Sequence, residues 1–376
     1  MLVAAGSLLA YYVTHLNRRD QLDFPAGAPP FFSIFCGRCG EFIDKGYTTA
    51  FGRHFHLGCF VCDQCKVFSG QRLFRHQSGF LCAKHLCSAK KAACKCAVCG
   101  QSIQRKWFSL VKKTQFLVAV TGEVYCAHHA QEPEYELTCF LCHRHLNFKS
   151  AQPFQVFDPS ASSRRFLCNS CAQQGRIFTL DALEPLHRFI QSQFRYLGLN
   201  CPVDLLAPLV LVDEAYLGAQ QPAQEDFQHV EGLTHKMTSF AVRRTKIYVL
   251  AGLPKVEMIS VLAHEMMHSY LHTFGVLNLP KHVEESLCEL MSYLALSGLL
   301  LEEPRKLLNL ELSAVEETLS LLDLQLQERG SPLNSAYKSI RGRGFIELLH
   351  FVSEHKCLPP PIANPSPPGI IEPLLS

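Results

Sequence analysis

The positions of the cysteines restrict the fold of this chain more than any other feature of its sequence. Of 18 Cys in 376 residues, 15 lie between Cys36 and Cys171, and most stand in pairs separated by two residues. Cysteines this close in sequence rarely reach relaxed disulfide geometry, whereas such pairs are typical of tetrahedral zinc sites. We therefore predict that zinc sites stabilise the first half of the chain and that the second half folds around an ordinary hydrophobic core. Zinc-binding thiolates also indicate a reducing compartment, which is the cytoplasm and, as an alternative, the nucleus.

The first eight candidate ligands follow a fixed spacing, Cys36-x2-Cys39-x16-His56-x2-Cys59-x2-Cys62-x2-Cys65-x16-Cys82-x2-His85. Taken in order they predict two closed tetrahedral zinc sites, with a short hairpin in each 16-residue segment. The pattern matches the LIM domain in every ligand. We therefore predict that residues 34–87 form a LIM module, which binds proteins and whose zinc performs no chemistry because no coordination position is open.

Four further pairs predict a second, LIM-like zinc module over residues 94–173. They are Cys96 and Cys99, Cys126 and His129, Cys139 and Cys142, and Cys168 and Cys171. Nine residues separate His129 from Cys139 where LIM domains have two. Cys94 is an alternative to Cys96 and His128 to His129, while Cys87 and Cys94 are expected to be spare thiols. The two modules together predict about four structural zinc ions.

Charge and hydropathy argue against two classes of partner. The formal charge of +3 turns slightly negative once the candidate ligand cysteines are thiolates and four zinc ions are bound, so no nucleic-acid footprint is expected. In the N-terminal tail, residues 1–33, the apolar stretch over residues 1–13 is too short to span a bilayer, so no membrane association is expected either.

The remaining chain contains the sequence His264-Glu265-Met266-Met267-His268, which predicts a peptidase-like domain over residues 176–357, and it ends in a Pro-rich tail over residues 358–376. The patterning predicts a helix over residues 180–197, strands over 209–212 and 241–250, a helix that ends near Phe274 before Gly275, another helix from about Pro280, and helices within residues 301–327. The predicted fold class is multidomain α+β: zinc-stapled LIM and LIM-like modules followed by a zincin-type α+β metallopeptidase domain.

The sequence His264-Glu265-Met266-Met267-His268 predicts a catalytic zinc site on one of these helices. Two His at i and i+4 share one helix face, about 6 Å apart, so both imidazoles can reach one metal ion. Glu265 stands beside the first ligand, where its carboxylate can accept a proton from water. This combination is typical of zinc peptidases.

The third ligand is expected to be a carboxylate on the next helix, because Leu271 and Phe274 stand where an extended His-x2-Gly-x2-His motif needs its Gly and His. The apolar stripe of that helix favours Glu284. The order Glu285-Ser286-Leu287-Cys288-Glu289 instead resembles the thermolysin-type pattern, which favours Glu285 as ligand and Glu289 as the acid that orients His264. We predict Glu285, with Glu284 as the alternative.

Taken together, these motifs resemble the LIM-domain zinc peptidases that restrict organ growth in plants and are activated by ubiquitin. The resemblance rests on the LIM spacing, the pairs from Cys96 to Cys171, Gly252-Leu253-Pro254, the zinc helix with Glu284-Glu285, and Ser335-Ala336-Tyr337. It implies an endopeptidase that cleaves selected regulatory proteins, with ubiquitin or ubiquitin ligases as further partners. Residues 1–33 hold only two Asp and no Glu, so the ubiquitin-interacting helices that family members often carry are not expected there.

The predicted mechanism uses one catalytic zinc ion held by His264, His268 and Glu285, with Glu265 as general base and then general acid. Tyr337 is the candidate second donor to the oxyanion, because related sites use a Tyr or a His there. The alternative function is a catalytically inactive LIM-type adaptor or scaffold. Cleavage that a chelator stops and zinc restores would discriminate between the two.

Overall fold

The structure is a computed structural model, and it describes the greater part of the second half of the chain and separate segments of the first. The described residues are 36–41, 43, 47–66, 73–76, 79–82, 85–86, 95–101, 116–118, 124–126, 128–129, 139–141, 155–156, 166–199, 207–219, 231–239, 242–328, 330–340 and 344–361. The predicted N-terminal tail, the spare thiols Cys87 and Cys94, the candidate ligand Cys142, and residues 362–376 lie outside them.

Each 16-residue segment of the first module contains a β-hairpin, as predicted. Strand β1 (Tyr47–Ala50) pairs antiparallel with β2 (Arg53–His56), and β3 (Leu73–His76) pairs antiparallel with β4 (Gly79–Cys82). Phe55, Phe60 and Phe80 form a small aromatic core between the hairpins, with ring centroids 5.0–5.3 Å apart. The zinc sites supplement this core, which is small for an independent fold.

The second module repeats the alternation of ligand pairs and hairpins. Strand β5 (Phe116–Val118) pairs with β6 (Val124–Cys126), and β7 (Gln155–Val156) pairs with β8 (Phe166–Leu167), both antiparallel. The short helix α1 (Asn169–Ala172) follows β8 and carries Cys171.

The C-terminal region packs helices against a three-stranded sheet. The elements are α2 (Leu180–Tyr196), β9 (Leu209–Val212), α3 (Glu214–Ala219), β10 (Gly232–Ser239), β11 (Val242–Leu250), α4 (Lys255–Thr273), α5 (Lys281–Gly298), α6 (Glu302–Leu307), α7 (Leu312–Gln327), α8 (Pro332–Ile340) and α9 (Phe345–His355). The strand order is β10-β11-β9, with β10 antiparallel and β9 parallel to β11. The predicted α+β fold class is confirmed.

Helices α4 and α5 form the centre of the core. Gly252, at φ +89°, turns the chain out of β11, and Pro254 precedes the first turn of α4 with the fixed φ that suits a helix start. Gly275, at φ +79°, follows the end of α4, one residue after the predicted last helical position. The apolar stripe predicted for α5 is completely buried: Val283, Leu287, Leu290, Met291 and Leu294.

The edge of the sheet beside α4 is formed by β10, which the sequence analysis did not predict. The predicted strand over residues 241–250 corresponds to β11, but β11 is the central strand. No strand in the described part of the chain pairs with the outer edge of β10. Its sequence, GLTHKMTS, lacks an apolar alternation because the positions that face the helices are occupied by Gly232, Thr234 and Lys236.

The first zinc module contacts the C-terminal region through the turn between β1 and β2. The backbone N–H of Gly52 donates to Asp323 Oδ2 at 3.0 Å, and the hydroxyl of Tyr293 donates to the other oxygen of Asp323 at 3.3 Å. Two residues further along the hairpin, His54 Nε2 is hydrogen-bonded to the hydroxyl of Tyr337 at 2.9 Å. The contacts of Gly52 with Asp323 and of His54 with Tyr337 join elements more than 250 positions apart in sequence.

Two features of this contact, the backbone conformation and the space available, require a glycine at position 52. Its φ of +67° lies in the left-handed region, and a Cβ atom there would approach Leu319 Cδ1 to 2.6 Å. We expect Gly52→Ala to lose about 1–2 kcal/mol from the backbone conformation and about 1 kcal/mol more from the contact with Leu319. Thermal unfolding of the zinc-loaded chain measures the sum.

Gly330→Ala is the matched control for this prediction, because Gly330 has a φ of +87° and no atom within 4 Å of the position of a Cβ. The midpoint of Gly52→Ala should fall below that of Gly330→Ala by several degrees. Equal midpoints would show that the contact with Leu319 is unimportant for stability.

Candidate functional site

The candidate structural ligands converge in four clusters within the two zinc modules. In each cluster the candidate donor atoms lie within 4.8 Å of one another. The clusters are Cys36, Cys39, His56 and Cys59; Cys62, Cys65, Cys82 and His85; Cys96, Cys99, Cys126 and His129; and Cys139, Cys168 and Cys171. The fourth predicted ligand of the last cluster, Cys142, is among the residues that are not described.

The distances within these clusters suit zinc. Bonds of about 2.3 Å to sulfur and about 2.05 Å to nitrogen place the two atoms about 3.6 Å apart in a tetrahedral site. In each of the first three clusters, two Sγ atoms lie 3.2–3.8 Å from Nδ1 of the histidine, which is His56, His85 or His129. The described Cys/His clusters are therefore consistent with LIM-type zinc binding.

Hydrogen bonds from backbone amides lower the pKa of two of these cysteines, Cys36 and Cys62. Burial of the Cys36 thiol opposes ionisation, but the backbone N–H groups of Cys39, Arg38 and His56 lower its pKa to about 6. Cys62 has a pKa of about 6 for the same reason: burial opposes ionisation, and the backbone groups of Cys65, Cys82 and Gln64 outweigh it. Since zinc binds the thiolate, these hydrogen bonds favour the liganded state.

The second kind of site lies where α4 faces α5. His264 and His268 are one turn apart on α4, and their Nε2 atoms are 3.2 Å apart. Glu285 on α5 places its Oε2 atom 3.2 Å from His264 Nε2 and 3.7 Å from His268 Nε2. His264 Nε2, His268 Nε2 and Glu285 Oε2 form a triangle, the zinc triangle.

The zinc triangle has the dimensions of one face of a tetrahedral zinc site. Zinc bonds of about 2.0–2.1 Å to nitrogen and oxygen place neighbouring ligand atoms about 3.3 Å apart. Two edges of the triangle measure 3.2 Å and the third measures 3.7 Å. The residues therefore fit a zinc ion, and three protein ligands leave a coordination position for solvent or substrate.

Glu284 occupies a different place from Glu285, because one residue along a helix rotates the side chain by about 100°. Its Oε1 atom accepts a hydrogen bond from His268 Nδ1 at 2.7 Å and another from Lys236 Nζ at 2.5 Å. Glu284 thus contacts the imidazole nitrogen that points away from the triangle. This geometry favours Glu285 over Glu284 as the third ligand.

Glu265 is almost completely buried, with 7% of its surface exposed. Thr234 on β10 lies against it, and the Thr234 hydroxyl is 2.6 Å from Glu265 Oε2 and 2.9 Å from the Glu265 backbone carbonyl oxygen. A Cβ atom at Gly232 would come within 2.7 Å of Glu265 Cγ, so only a glycine lets β10 approach this closely. Strand β10 therefore fixes the carboxylate beside the zinc triangle.

The carboxylates and imidazoles of the site alter one another's ionisation. The hydrogen bond from His268 is the main cause that lowers the pKa of Glu284 to about 2, against a smaller opposing effect of burial. Hydrogen bonds from His264 and His268 likewise hold the pKa of Glu285 far below its usual range. Burial disfavours a charged His268, yet neighbouring Cys288, Glu284 and Glu285 raise its pKa. The pocket therefore favours a positive charge between its carboxylates.

The structure shows the surroundings of two other predicted site residues, Glu289 and Tyr337. Burial raises the pKa of Glu289, and one of its oxygens is buried without a hydrogen-bond partner. Its interaction with His264 is electrostatic, so its predicted orienting role stays a prediction. The hydroxyl of Tyr337 is hydrogen-bonded to His54, and its ring packs against Tyr293, so its predicted role at the oxyanion also stays a prediction.

The sequence analysis did not identify three residues that belong to this site. Thr234 and Lys236 were missed because β10 was not predicted, and neither residue type stands out in an exposed strand. Cys288 is fully buried, and its sulfur lies within 4.8 Å of ligand atoms of His264 and His268. Burial raises the pKa of this thiol to about 11. The position of Cys288, three residues after Glu285, was the sequence feature that could have assigned it to the site.

The two adjacent glutamates give a direct test of the site. We expect Glu285→Ala to lose one zinc ion per chain, because it removes a corner of the triangle. Glu284→Ala should retain that ion with about 10- to 100-fold lower affinity, as is usual when the partner of a ligand His is removed. Elemental analysis after dialysis against a graded series of chelator concentrations measures both, and the reverse order would assign the ligand to Glu284.

No helix in the described ranges combines the length and the apolar character that crossing a membrane requires.

Two parts of the chain match known families. Residues 219–321 match the DA1-like family (Protein DA1), and residues 36–90 match the LIM domain. LIM domain-containing protein HDR3 of Oryza sativa subsp. japonica is 27% identical over 295 residues, which cover 70% of this chain and 56% of that protein. Protein DA1 of Arabidopsis thaliana is 25% identical over 292 residues, which cover 69% of this chain and 52% of that protein.

Protein DA1-related 2 of Arabidopsis thaliana is similar at 27% identity over 304 residues, which cover 72% of this chain and 54% of that protein. The chain thus spans about half the length of these relatives. The predicted family resemblance is confirmed in this form: a LIM domain followed by a DA1-like region that contains the zinc triangle, Glu265, Glu284 and strand β10.

Proposed function

We propose, with the shared DA1-like region as the premise, that this chain is a zinc-dependent endopeptidase. The observation that carries the proposal is the zinc triangle of His264, His268 and Glu285 with the buried carboxylate of Glu265 beside it. Two imidazoles, one carboxylate and a neighbouring acid are the ligand set and the base that hydrolytic zinc sites use. A closed structural zinc site has no use for the additional base.

Zinc held by these three residues would polarise a peptide carbonyl and lower the pKa of water. The protein supplies the proton transfers. Thr234 holds Oε2 of Glu265, which leaves Oε1 to accept the proton of the attacking water and to return it to the departing amine. Burial of Glu265 excludes bulk water from these steps.

The edge strand supports a peptide as the substrate. The outer edge of β10 is unpaired among the described strands, and the inner face of β10 contacts Glu265 and Glu284. An extended peptide that adds to this edge as a further strand would bring its backbone past the zinc triangle. The family resemblance adds selected regulatory proteins as the substrate class.

The other expectations belong to the same proposal. We expect the LIM modules to bind protein partners, and ubiquitin or ubiquitin ligases to regulate the activity, in the cytoplasm or the nucleus. The hydroxyl of Tyr337 is hydrogen-bonded to His54 Nε2, and donation to the oxyanion requires its hydrogen to point away from that nitrogen. The inactive adaptor is the alternative outcome of the following experiment.

We expect Glu265→Gln to retain the zinc ion and to lower peptide cleavage by at least about 100-fold, because the amide cannot accept the proton. Full-length wild type and variant are incubated with cell extract, with and without ubiquitin-conjugating components, and new N-termini are identified by mass spectrometry. A chelator should stop wild-type cleavage and zinc should restore it.

Glu303→Gln is the matched control, because Glu303 is an exposed glutamate on α6. It should cleave at the wild-type rate. Cleavage by Glu265→Gln at the wild-type rate would refute the assignment of the base. The absence of chelator-sensitive cleavage by wild type under every condition would favour the adaptor.

A further inference from the structure

The side chains of β10 that face the helices contact the active-site residues at alternate positions. Thr234 is hydrogen-bonded to Glu265 on α4, and Lys236, two residues later, contacts Glu284 on α5. His235, between them, pairs with Lys246 on the opposite face of the sheet, and Lys236 keeps its contact although its side chain is 39% exposed. This alternation is that of a β-strand, so one face of β10 is in contact with both helices of the zinc triangle.

Lys236 is connected to the zinc triangle through a single carboxylate oxygen. Glu284 Oε1 accepts from Lys236 Nζ at 2.5 Å and from His268 Nδ1 at 2.7 Å. A proton on Nδ1 leaves the lone pair of Nε2 free to bind a metal ion, and this nitrogen forms one corner of the triangle. The hydrogen bond to Glu284 therefore selects the tautomer and the ring orientation that zinc requires.

The carboxylate of Glu284 needs a second partner to remain in this position. It lies next to Glu285 in sequence, and the site also contains Glu265 and Glu289. Lys236 supplies a positive charge and a direct hydrogen bond on the side of Glu284 that faces β10. Most surface ion pairs contribute little, but this pair acts on a carboxylate whose side chain is only 20% exposed and which is already bonded to a candidate ligand.

We propose that Lys236 is a positioning residue of the metal centre, which acts through Glu284 to hold His268 in the orientation that binds zinc. The inference rests on the proposed function for the existence of the metal centre and adds a role for the edge strand. The strand expected to pair with the substrate thus also sets the affinity for the metal ion. Substrate pairing and zinc affinity become properties of one element.

The test measures zinc affinity and does not depend on cleavage. Full-length wild type, Lys236→Met, Lys236→Arg, Glu284→Gln and the double variant Lys236→Met/Glu284→Gln are titrated with a chelator. The relevant zinc ion is defined as the one that His268→Ala lacks, which separates it from the ions of the cysteine clusters. Lys246→Met is the matched control, because Lys246 lies on the opposite face of the sheet, opposite His235, with its Nζ 5.1 Å from the centre of the Tyr248 ring.

We expect Glu284→Gln to weaken zinc binding about 10- to 100-fold and Lys236→Met about 3- to 10-fold. Lys236→Arg should remain within about threefold of wild type, since it keeps the charge and the donors. In the double variant the effect of Lys236→Met should disappear, because its partner is gone.

Equal zinc affinities of Lys236→Met and Lys246→Met would overturn the inference and leave the proposed function intact. An undiminished effect of Lys236→Met in the Glu284→Gln background would also overturn it, because Lys236 would then not act through Glu284. If wild type and His268→Ala bind the same number of zinc ions, the metal centre itself is refuted, and the proposed function fails together with the inference.

Discussion

The packing of α4 against α5 is the constraint on which the rest of the C-terminal region depends. The facing sides of the two helices meet closely: the hydroxyl of Ser292 on α5 donates to the backbone oxygen of Ser260 on α4 at 2.7 Å, and both helices are buried along most of their length. A tightly packed interior allows little sliding between helices. The polar ends of these faces therefore meet in one arrangement, in which Glu285 lies against the His264 and His268 imidazoles.

The strand β10 adds the second layer of this arrangement. Gly232 permits the close approach, Thr234 holds the carboxylate of Glu265, and Lys236 holds Glu284. Thr234 and Lys236 each restrain a carboxylate that is not itself a corner of the zinc triangle. The positions of catalytic groups are usually determined in this way, by partners one contact removed from the reacting atoms.

The sequence predicted those parts of the molecule whose spacing is local. Pairs such as Cys36 and Cys39 are separated by only two residues, and His264 and His268 share a helix face by helical geometry, so short-range rules were sufficient. The choice between Glu284 and Glu285 was harder because both residues lie on one short helical segment. The apolar stripe of α5 alone favoured Glu284, whereas the structure places Glu285 at the triangle and Glu284 behind His268.

Contacts between distant segments gave no local signal. The role of Lys236 depends on the pairing of an edge strand, and the contact between Gly52 and Asp323 joins residues 271 positions apart. Tyr337 was proposed as the oxyanion donor because related sites use a Tyr or a His there, and that role stays a prediction. Its hydroxyl contacts His54, a residue of the first zinc module that no pattern connects with it.

The turn between β1 and β2 therefore makes the first zinc module a structural part of the C-terminal region. Asp323 is buried, and the backbone amide of Gly52 is one of its donors. A fragment that begins after the zinc modules would lack that donor and would expose Leu300 and Leu319 to water. The two halves are consequently not independent domains. A recombinant chain that separates them would need another donor for Asp323 and another cover for Leu300 and Leu319.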